Sequence, residues 1–160
     1  MNDCDALLRA VMAQAAALAI PFSPHLDPHV VLNARAATRF GCCKYRAGRY
    51  TIEVARRVAD GPEASCRETL AHELLHTCPR CRDHGALWQG YARKMNAAYG
   101  YRIARTATDE ALGVAAQREP KYILTCADCG ATFPRLRASP HTDHPERYRC
   151  KCGGTLTRIT

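Results

Sequence analysis

The chain has 160 residues, and 47% of them are hydrophobic, which is enough to bury the core of one domain with a small appendage. No stretch approaches eighteen uninterrupted apolar residues, so a transmembrane helix and a membrane partner are not expected. Lys and Arg outnumber Asp and Glu by 23 to 15, and residues 80–160 carry 14 of these cations against 7 acidic side chains. The excess of cations favours contact with nucleic acid or another polyanion, because Lys and Arg neutralise phosphates.

The N-terminal segment does not resemble an export signal. Its first charged residues are acidic where a signal peptide has basic ones, and Arg9 interrupts the apolar run. We therefore expect a cytoplasmic protein, in which ten cysteines are better explained as metal ligands and buried thiols than as disulfides. Zinc is the expected metal.

The first predicted element is an amphipathic helix over residues 3–19, which Pro21 and Pro24 end. Its apolar residues recur at helical intervals: Leu7, Leu8, Val11, Ala15, Leu18 and Ala19.

Residues 29–58 change to short β-branched and aromatic runs. These runs read HVVLNAR, TRFGCCKYR and RYTIEVARR, with Ala47 and Gly48 as a turn between the last two. They predict a small antiparallel sheet or meander.

A helix is predicted after the break at Gly61 and Pro62. Ser65 is the expected N-cap, Glu68 three residues on would complete a capping box, and Pro79 stops the helix.

A further helix is predicted between Asp83, its expected cap, and Gly100. Residues 101–120 lack periodicity and are predicted to be a connection, which places a domain boundary between residues 1–120 and residues 121–160. The stripe expected to face the core consists of Leu87, Tyr91, Met95 and Ala98.

The motif HELLH places two histidines on one face of the predicted helix. His72 and His76 are four residues apart, so both imidazoles can bind one ion. Glu73 lies about 100° further round the helix, beside the metal but not an obvious ligand. Zinc lowers the pKa of a bound water, and a neighbouring carboxylate can take its proton for attack on an amide carbonyl. The motif therefore indicates metallopeptidase chemistry.

A catalytic zinc needs a third protein ligand and one open position. His84 can supply it, because Pro79 breaks the chain after the HELLH helix and a short loop can return the next helix toward the metal. A closed structural site and incidental histidines are the alternative interpretations.

Six of the ten cysteines lie in sequence patterns that do not indicate one particular role. Cys78 and Cys81 form a CxxC that could bind a metal, cycle between dithiol and disulfide, or pack, and we favour a structural or redox-sensitive lock of the loop. The remaining four are expected to be buried or free thiols: Cys4, Cys42, Cys43 and Cys66.

The C-terminal segment carries a second set of metal-binding residues, CADC and, twenty residues later, CKC. This spacing is typical of a zinc ribbon, in which four thiolates replace a core too small to fold alone. The second knuckle is one residue shorter than CxxC, and His141 or His144 could replace one of its cysteines. The predicted ligands of this structural zinc are Cys126, Cys129, Cys150 and Cys152.

Together, AHELLHT, DHGALW and the terminal YRCKCGGTL resemble the SprT-like zinc metallopeptidases, and VVLNARAATRFGCC is similar to the segment that precedes their active helix. The resemblance implies that His72, His76 and His84 bind a catalytic zinc and that Glu73 is the general base. It implies an α+β fold: a zincin-like core with an N-terminal helix, a small antiparallel sheet, the HExxH helix and a further helix, followed by a zinc ribbon. The related Spartan proteases degrade proteins crosslinked to DNA.

The sequence therefore favours a monomeric cytoplasmic zinc endopeptidase that cleaves a protein substrate near single- or double-stranded DNA. Two other functions are weighed against it: a non-catalytic zinc module that recruits partners to nucleic acid, and a regulator that cleaves only itself. Glu73 favours the peptidase, because a binding module has no need of this carboxylate. The predicted DNA contacts flank the ribbon: Arg135, Arg137, Arg147, Arg149 and Lys151.

Overall fold

The computed structural model describes residues 1–115 and 119–160. The chain forms two compact units, Met1–Ala115 and Ala116–Thr160, which are described separately below. Across the described residues, the helices are all too short or too polar to span a bilayer.

The first unit begins with the predicted amphipathic helix, α1 (Cys4–Ala17). The Asp3 side chain caps it by accepting a hydrogen bond from the backbone N–H of Ala6, at 2.9 Å. The buried face carries Leu7, Leu8, Val11 and Ala15, as predicted, whereas the last two residues of the predicted stripe, Leu18 and Ala19, lie beyond the end of the helix.

A three-stranded sheet follows, built from β1 (Val31–Asn33), β2 (Gly41–Arg46) and β3 (Arg49–Ala55). Strands β2 and β3 form the expected antiparallel hairpin. Its two-residue turn has left-handed φ values of 48° at Ala47 and 80° at Gly48, as a type I′ turn requires.

The prediction of a purely antiparallel sheet or meander is wrong. Strand β1 pairs with β3 in parallel, so the strand order is β1-β3-β2. Residues 34–40 can carry the chain past β3 because two inter-strand spacings amount to only about 10 Å. Strand-like residue patterns do not specify which strands become neighbours. In the observed order, β2 lies at an edge of the sheet.

After the short helix α2 (Arg56–Ala59), the central helix α3 (Glu63–Leu75) packs against α1, β2 and β3. The helix ends at Leu75, and i→i+3 hydrogen bonds continue the turn as far as Cys78, just before Pro79. Nine of its thirteen residues are buried, so α3 has neighbours on most of its circumference.

The predicted capping box at the start of α3 is wrong. The helix begins earlier, directly after Pro62, and has no side-chain cap. Ser65 instead donates a hydrogen bond from its Oγ to the carbonyl of Leu112, at 2.6 Å. The Glu68 carboxylate accepts hydrogen bonds from the backbone N–H and the guanidinium of Arg102. Both residues are buried because they hold a distant segment against the helix.

The next helix is α4 (Ala86–Tyr99). Gly85, not Asp83, is its N-cap; the Asp83 carboxylate instead accepts a hydrogen bond from the backbone N–H of Gly85, at 3.1 Å. Gly100 ends the helix in a left-handed conformation, with φ 68°, as predicted.

The buried face of α4 consists of Trp88, Ala92 and Met95, of which Met95 alone was predicted. Ala98 is exposed, while Leu87 and Tyr91 are only partly buried. Trp88 determines which face of α4 is turned toward the core, because its indole contacts the histidine rings and the residue is 1% exposed.

The predicted connection after Gly100 contains α5 (Asp109–Leu112), which Thr108 caps by accepting a hydrogen bond from the backbone N–H of Ala111. The segment 102–107 before it lies against α3, where it is held by Glu68.

The second unit contains an antiparallel sheet of order β5-β4-β6, formed by β4 (Tyr122–Cys126), β5 (Thr132–Arg135) and β6 (Leu156–Arg158). A short helix α6 (Pro140–Asp143) and a 3₁₀ turn (Pro145–Arg147) connect β5 to β6. Among the described residues of this unit, the buried hydrophobic cluster contains Cys126, Cys150 and Leu156, and Leu124 of β4 is also buried.

One buried charge of the first unit makes a testable contribution to its stability. The Glu53 carboxylate on β3 accepts hydrogen bonds from Lys44, from Asn33 at 3.1 Å and from Arg39 at 3.0 Å. The Lys44 hydrogen bond is the main cause that holds the pKa of Glu53 below its ordinary value. We predict that Glu53→Gln lowers the free energy of unfolding by about 1 kcal/mol at neutral pH, the usual value of such a contact.

The difference should depend on pH. A depressed pKa stabilises the fold fully above the unfolded-state value, and this contribution disappears as pH falls through the folded-state value. Urea unfolding of parent and variant from neutral pH into the acid range measures the effect. Glu63→Gln, which removes an exposed partner of Arg67, is the control and should change little. A Glu53→Gln loss that is independent of pH would contradict this account.

Candidate metal centre

Three imidazoles meet at the end of α3. His72 and His76 lie on α3 and at its C-cap, and His84 lies in the loop that leads to α4. Their Nε2 atoms are 3.0 Å apart for His72 and His84, 3.2 Å for His76 and His84, and 3.3 Å for His72 and His76. A tetrahedral ion with metal–nitrogen distances of about 2.0–2.1 Å separates its ligands by about 3.3–3.4 Å. The triad therefore fits a metal ion of this geometry.

Backbone carbonyls fix which nitrogen of two of these rings faces the metal position. His72 Nδ1 lies 3.0 Å from the carbonyl oxygen of Ala104, and His76 Nδ1 lies 2.8 Å from that of Cys81. A carbonyl only accepts, so each Nδ1 carries the proton and each Nε2 presents a lone pair. Lone pairs that converge at this distance repel each other unless a cation lies between them.

Burial also favours the neutral, metal-binding form of these rings. Desolvation is the main cause that lowers the pKa of His72 to about 4, and the neighbouring His76 and His84 add to it. Desolvation likewise lowers the pKa of His84. Both shifts favour the unprotonated imidazoles of His72 and His84 at neutral pH.

Trp88 of α4 forms the floor beneath the triad. Its ring centroid lies 4.7 Å from that of His72, 5.5 Å from that of His76 and 4.6 Å from that of His84. A rigid, buried indole restricts the rotation of all three rings.

The loop between the ligands contains the CxxC. Cys78 and Cys81 are both buried, and burial raises the pKa of Cys78 to about 12. Among the described residues, neither sulfur belongs to a group that could hold a metal. The carbonyl of Cys81, rather than its thiol, contacts the metal centre by accepting from His76. The predicted lock of this loop stays a prediction.

Glu73 lies beside the triad without belonging to the metal-binding group. Its side chain is buried, yet it lines a cleft together with His72. Desolvation raises its pKa to about 7, although a backbone hydrogen bond from Cys43 and the charge of Arg39 act in the opposite direction. A carboxylate with this pKa can exchange a proton near neutral pH.

Gly41, the first residue of β2, is packed against this carboxylate. A Cβ at this position would lie 2.8 Å from Cγ and Oε1 of Glu73 and 2.9 Å from Cγ2 of Thr69. Only glycine lets the edge strand approach α3 this closely.

The cleft has a volume of about 260 Å³. Residues 38–41 form one wall, α3 provides His72 and Glu73, and residues 102–107 form the other wall. Neither wall was predicted from the sequence, because neither segment has a metal-binding motif or a periodic pattern. The pair Phe40-Gly41 at the start of a strand is the one signal that could have indicated a close approach.

The second unit brings its four predicted cysteines together. The Sγ atoms of Cys126 and Cys152 are 3.5 Å apart, and those of Cys129 and Cys150 are 3.6 Å apart. Tetrahedral coordination with metal–sulfur distances of about 2.3 Å gives sulfur separations of about 3.8 Å. The Cys₄ group can therefore hold a metal ion.

Neither alternative histidine joins this group. The ring of His141 stacks on Tyr148 with centroids 3.7 Å apart, and His144 lies 3.4 Å from the Glu146 carboxylate. Among the described residues, the cluster consists of the four cysteines alone.

The short CKC knuckle still forms a tight turn around the cluster. Gly153 has φ 92°, and its N–H donates to the carbonyl of Cys150 at 2.8 Å. A Cβ on Gly154 would lie 2.5 Å from the sulfur of Cys126, so the consecutive glycines let the backbone pass the sulfurs. Backbone hydrogen bonds, chiefly from Cys129, lower the pKa of Cys126 to about 7 and favour its metal-binding thiolate.

The predicted DNA contacts are all exposed in this unit. Arg135 ends β5, Arg137 follows it, and Arg147 lies in the 3₁₀ turn. Arg149 donates to the carbonyls of Glu146 and Tyr148, which holds its guanidinium near the turn. Their role, and that of the exposed Lys151, stays a prediction.

Comparison with known proteins agrees with the motifs. A search of curated proteins found no match. The SprT-like family profile matches residues 11–108, which include α1 from Val11 onward, the sheet, α3, α4 and all three histidines of the triad. The match covers more than half of the sequence, and the chain therefore belongs to the SprT-like family.

Proposed function

We propose that the protein is a zinc-dependent endopeptidase with a zincin-like core and a C-terminal zinc ribbon. The observation that carries the proposal is the position of Glu73, which is buried, outside the metal-binding triad and on the wall of an accessible cleft. A purely structural metal site would need neither this carboxylate nor the cleft. His72, His76 and His84 would hold the catalytic zinc, and the four clustered cysteines the structural one.

A zinc ion at the triad would supply a Lewis acid that polarises the scissile carbonyl and acidifies water. Glu73 accepts the proton of the attacking water and then passes it to the leaving amine. The Cys43 N–H keeps the Glu73 carboxylate oriented, and Gly41 leaves room for it. The carbonyls of Ala104 and Cys81 hold His72 and His76 in the metal-binding tautomer.

We infer that its substrates are proteins associated with or crosslinked to DNA. The support is the set of exposed cations in the second unit, together with family membership. The stacked pair of His141 and Tyr148 lies in the same unit as these cations and offers an aromatic surface to bases.

The first test is Glu73→Gln, which keeps the size of the side chain and removes the base. We predict that the variant folds, binds zinc at the triad and loses peptide hydrolysis by at least about 10²–10⁴-fold. His76→Ala removes a ligand and should lose metal from the triad together with activity, while the ribbon zinc remains. Metal analysis and a cleavage assay on a DNA-binding protein, with and without DNA, measure both effects. Normal cleavage by Glu73→Gln would refute the peptidase mechanism and favour a non-catalytic zinc module.

Two zinc ions per chain are predicted, one in each cluster. Elemental analysis of protein purified without chelator gives the stoichiometry, and one ion per chain would remove one of the two sites. The cysteine site should release its ion to a chelator more slowly, because a closed thiolate shell leaves no open position for the incoming ligand.

DNA affinity is predicted to fall steeply between low and physiological salt, because bound cations release counterions from phosphates. Replacing Arg147 and Arg149 with Gln should reduce the slope of log affinity against log salt by about 2. The matched control is Arg9→Gln, an exposed arginine on α1 in the first unit. Binding that ignores salt, or no binding at low salt, would exclude this interface.

A further inference from the structure

A second cavity lies beside the metal-centre cleft in the first unit. Its volume is about 160 Å³, and α4 and the segment 103–105 enclose it. Ile103, Ala104 and Arg105 line both this cavity and the cleft, so one strip of backbone separates them. The same strip holds His72 through the carbonyl of Ala104.

Trp88 and two amide side chains lie in the wall of this cavity. Trp88 is 1% exposed, and its indole N–H has no hydrogen-bond partner among the described residues. The two amides of the wall are already used: Gln89 donates to the carbonyl of His84 at 2.8 Å, and Asn96 exchanges two hydrogen bonds with the backbone of Ile103. This N–H lies below the surface, so the donors that a ligand in the cavity can reach are those of the exposed side chains of its wall.

The charge of the cavity is positive. Arg93 and Arg105 line it, both are exposed, and neither makes an ion pair with another described residue. No acidic side chain lies among the described residues of its wall. The other two arginines of the neighbouring cleft are paired, Arg39 with Glu53 and Arg102 with Glu68.

We propose that this cavity is a specificity pocket that binds an acidic side chain, Asp or Glu, of the protein substrate. The proposal rests on the peptidase function, since the substrate backbone would occupy the cleft. Arg105 lies on the wall of both spaces, so a substrate side chain that extends from the cleft into the cavity passes this residue. The planar guanidinium matches a carboxylate with two parallel hydrogen bonds, and Arg93 supplies a second charge.

Peptide binding tests the pocket separately from cleavage. Metal-loaded Glu73→Gln protein is titrated with two tryptophan-free peptide pools that differ only in a central Glu or Gln. Emission from Trp88, the sole tryptophan of the chain and part of the cavity wall, reports binding. We expect the Glu pool to bind about tenfold more tightly, as charge-assisted hydrogen bonds allow.

Variants in the same background locate the effect. Arg105→Gln and Arg93→Gln should each reduce the preference for Glu, and the double variant should abolish it. Arg105→Lys keeps the charge but not the fork, so it should retain only part of the preference. Arg9→Gln, which lines neither cavity, should retain all of it.

The outcomes separate this pocket from the proposed peptidase activity. Equal affinity for the two pools in the arginine-intact protein overturns the pocket, even if the parent enzyme cleaves both. Tighter binding of the Glu pool without cleavage by the parent protein supports the pocket and overturns the peptidase. A short single-stranded oligonucleotide that changes Trp88 emission through Arg105, with no preference for the Glu pool, would assign the cavity to phosphate and overturn the proposal.

Discussion

The convergence of three imidazole nitrogens is the interaction on which the rest of the structure depends. Two of the three rings receive their tautomer from backbone carbonyls, and all three rest on Trp88. The helix α3 has to hold two of them within van der Waals distance of each other, an arrangement that is repulsive until a cation binds. The helices α3 and α4, the loop between them and the segment 102–107 therefore all surround three nitrogen lone pairs that repel one another.

The polar residues of α3 explain how a segment without regular structure becomes a wall of the cleft. Ser65, Glu68 and His72 lie three and four residues apart, so they share one face of the helix. Each contacts the backbone of the segment 102–112: at Leu112, at Arg102 and at Ala104 respectively. These hydrogen bonds act together with the buried side chains of Ile103 and Leu112 to hold the segment against the core.

Sequence patterns predicted the parts of this protein whose chemistry is local. The helical positions of the HELLH histidines, the turn at Ala47 and Gly48, the Gly100 stop and the four clustered cysteines all follow from spacing and residue type. The order of the strands does not follow from spacing and residue type, because the position of β1 depends on tertiary packing. Ser65 and Glu68 have the spacing of a capping box, but their hydrogen-bond partners are Leu112 and Arg102. A local sequence pattern cannot indicate partners this far along the chain. The walls of the cleft were not predicted either, because they also form through contacts between residues that are distant in the sequence.

The three metal-binding histidines fall within residues 72–84, whereas the walls of the cleft come from residues 38–41 and 102–107. Closing a loop of this length costs little entropy, so α3, the following loop and the start of α4 can hold an ion as a local unit. The walls require contacts across about thirty residues on either side, and such contacts are lost first when a structure opens locally. The histidine triad and the cleft are therefore separable in part: local opening would remove the surface that positions a peptide and the Ala104 carbonyl that holds His72, while the three imidazoles stay within one local segment.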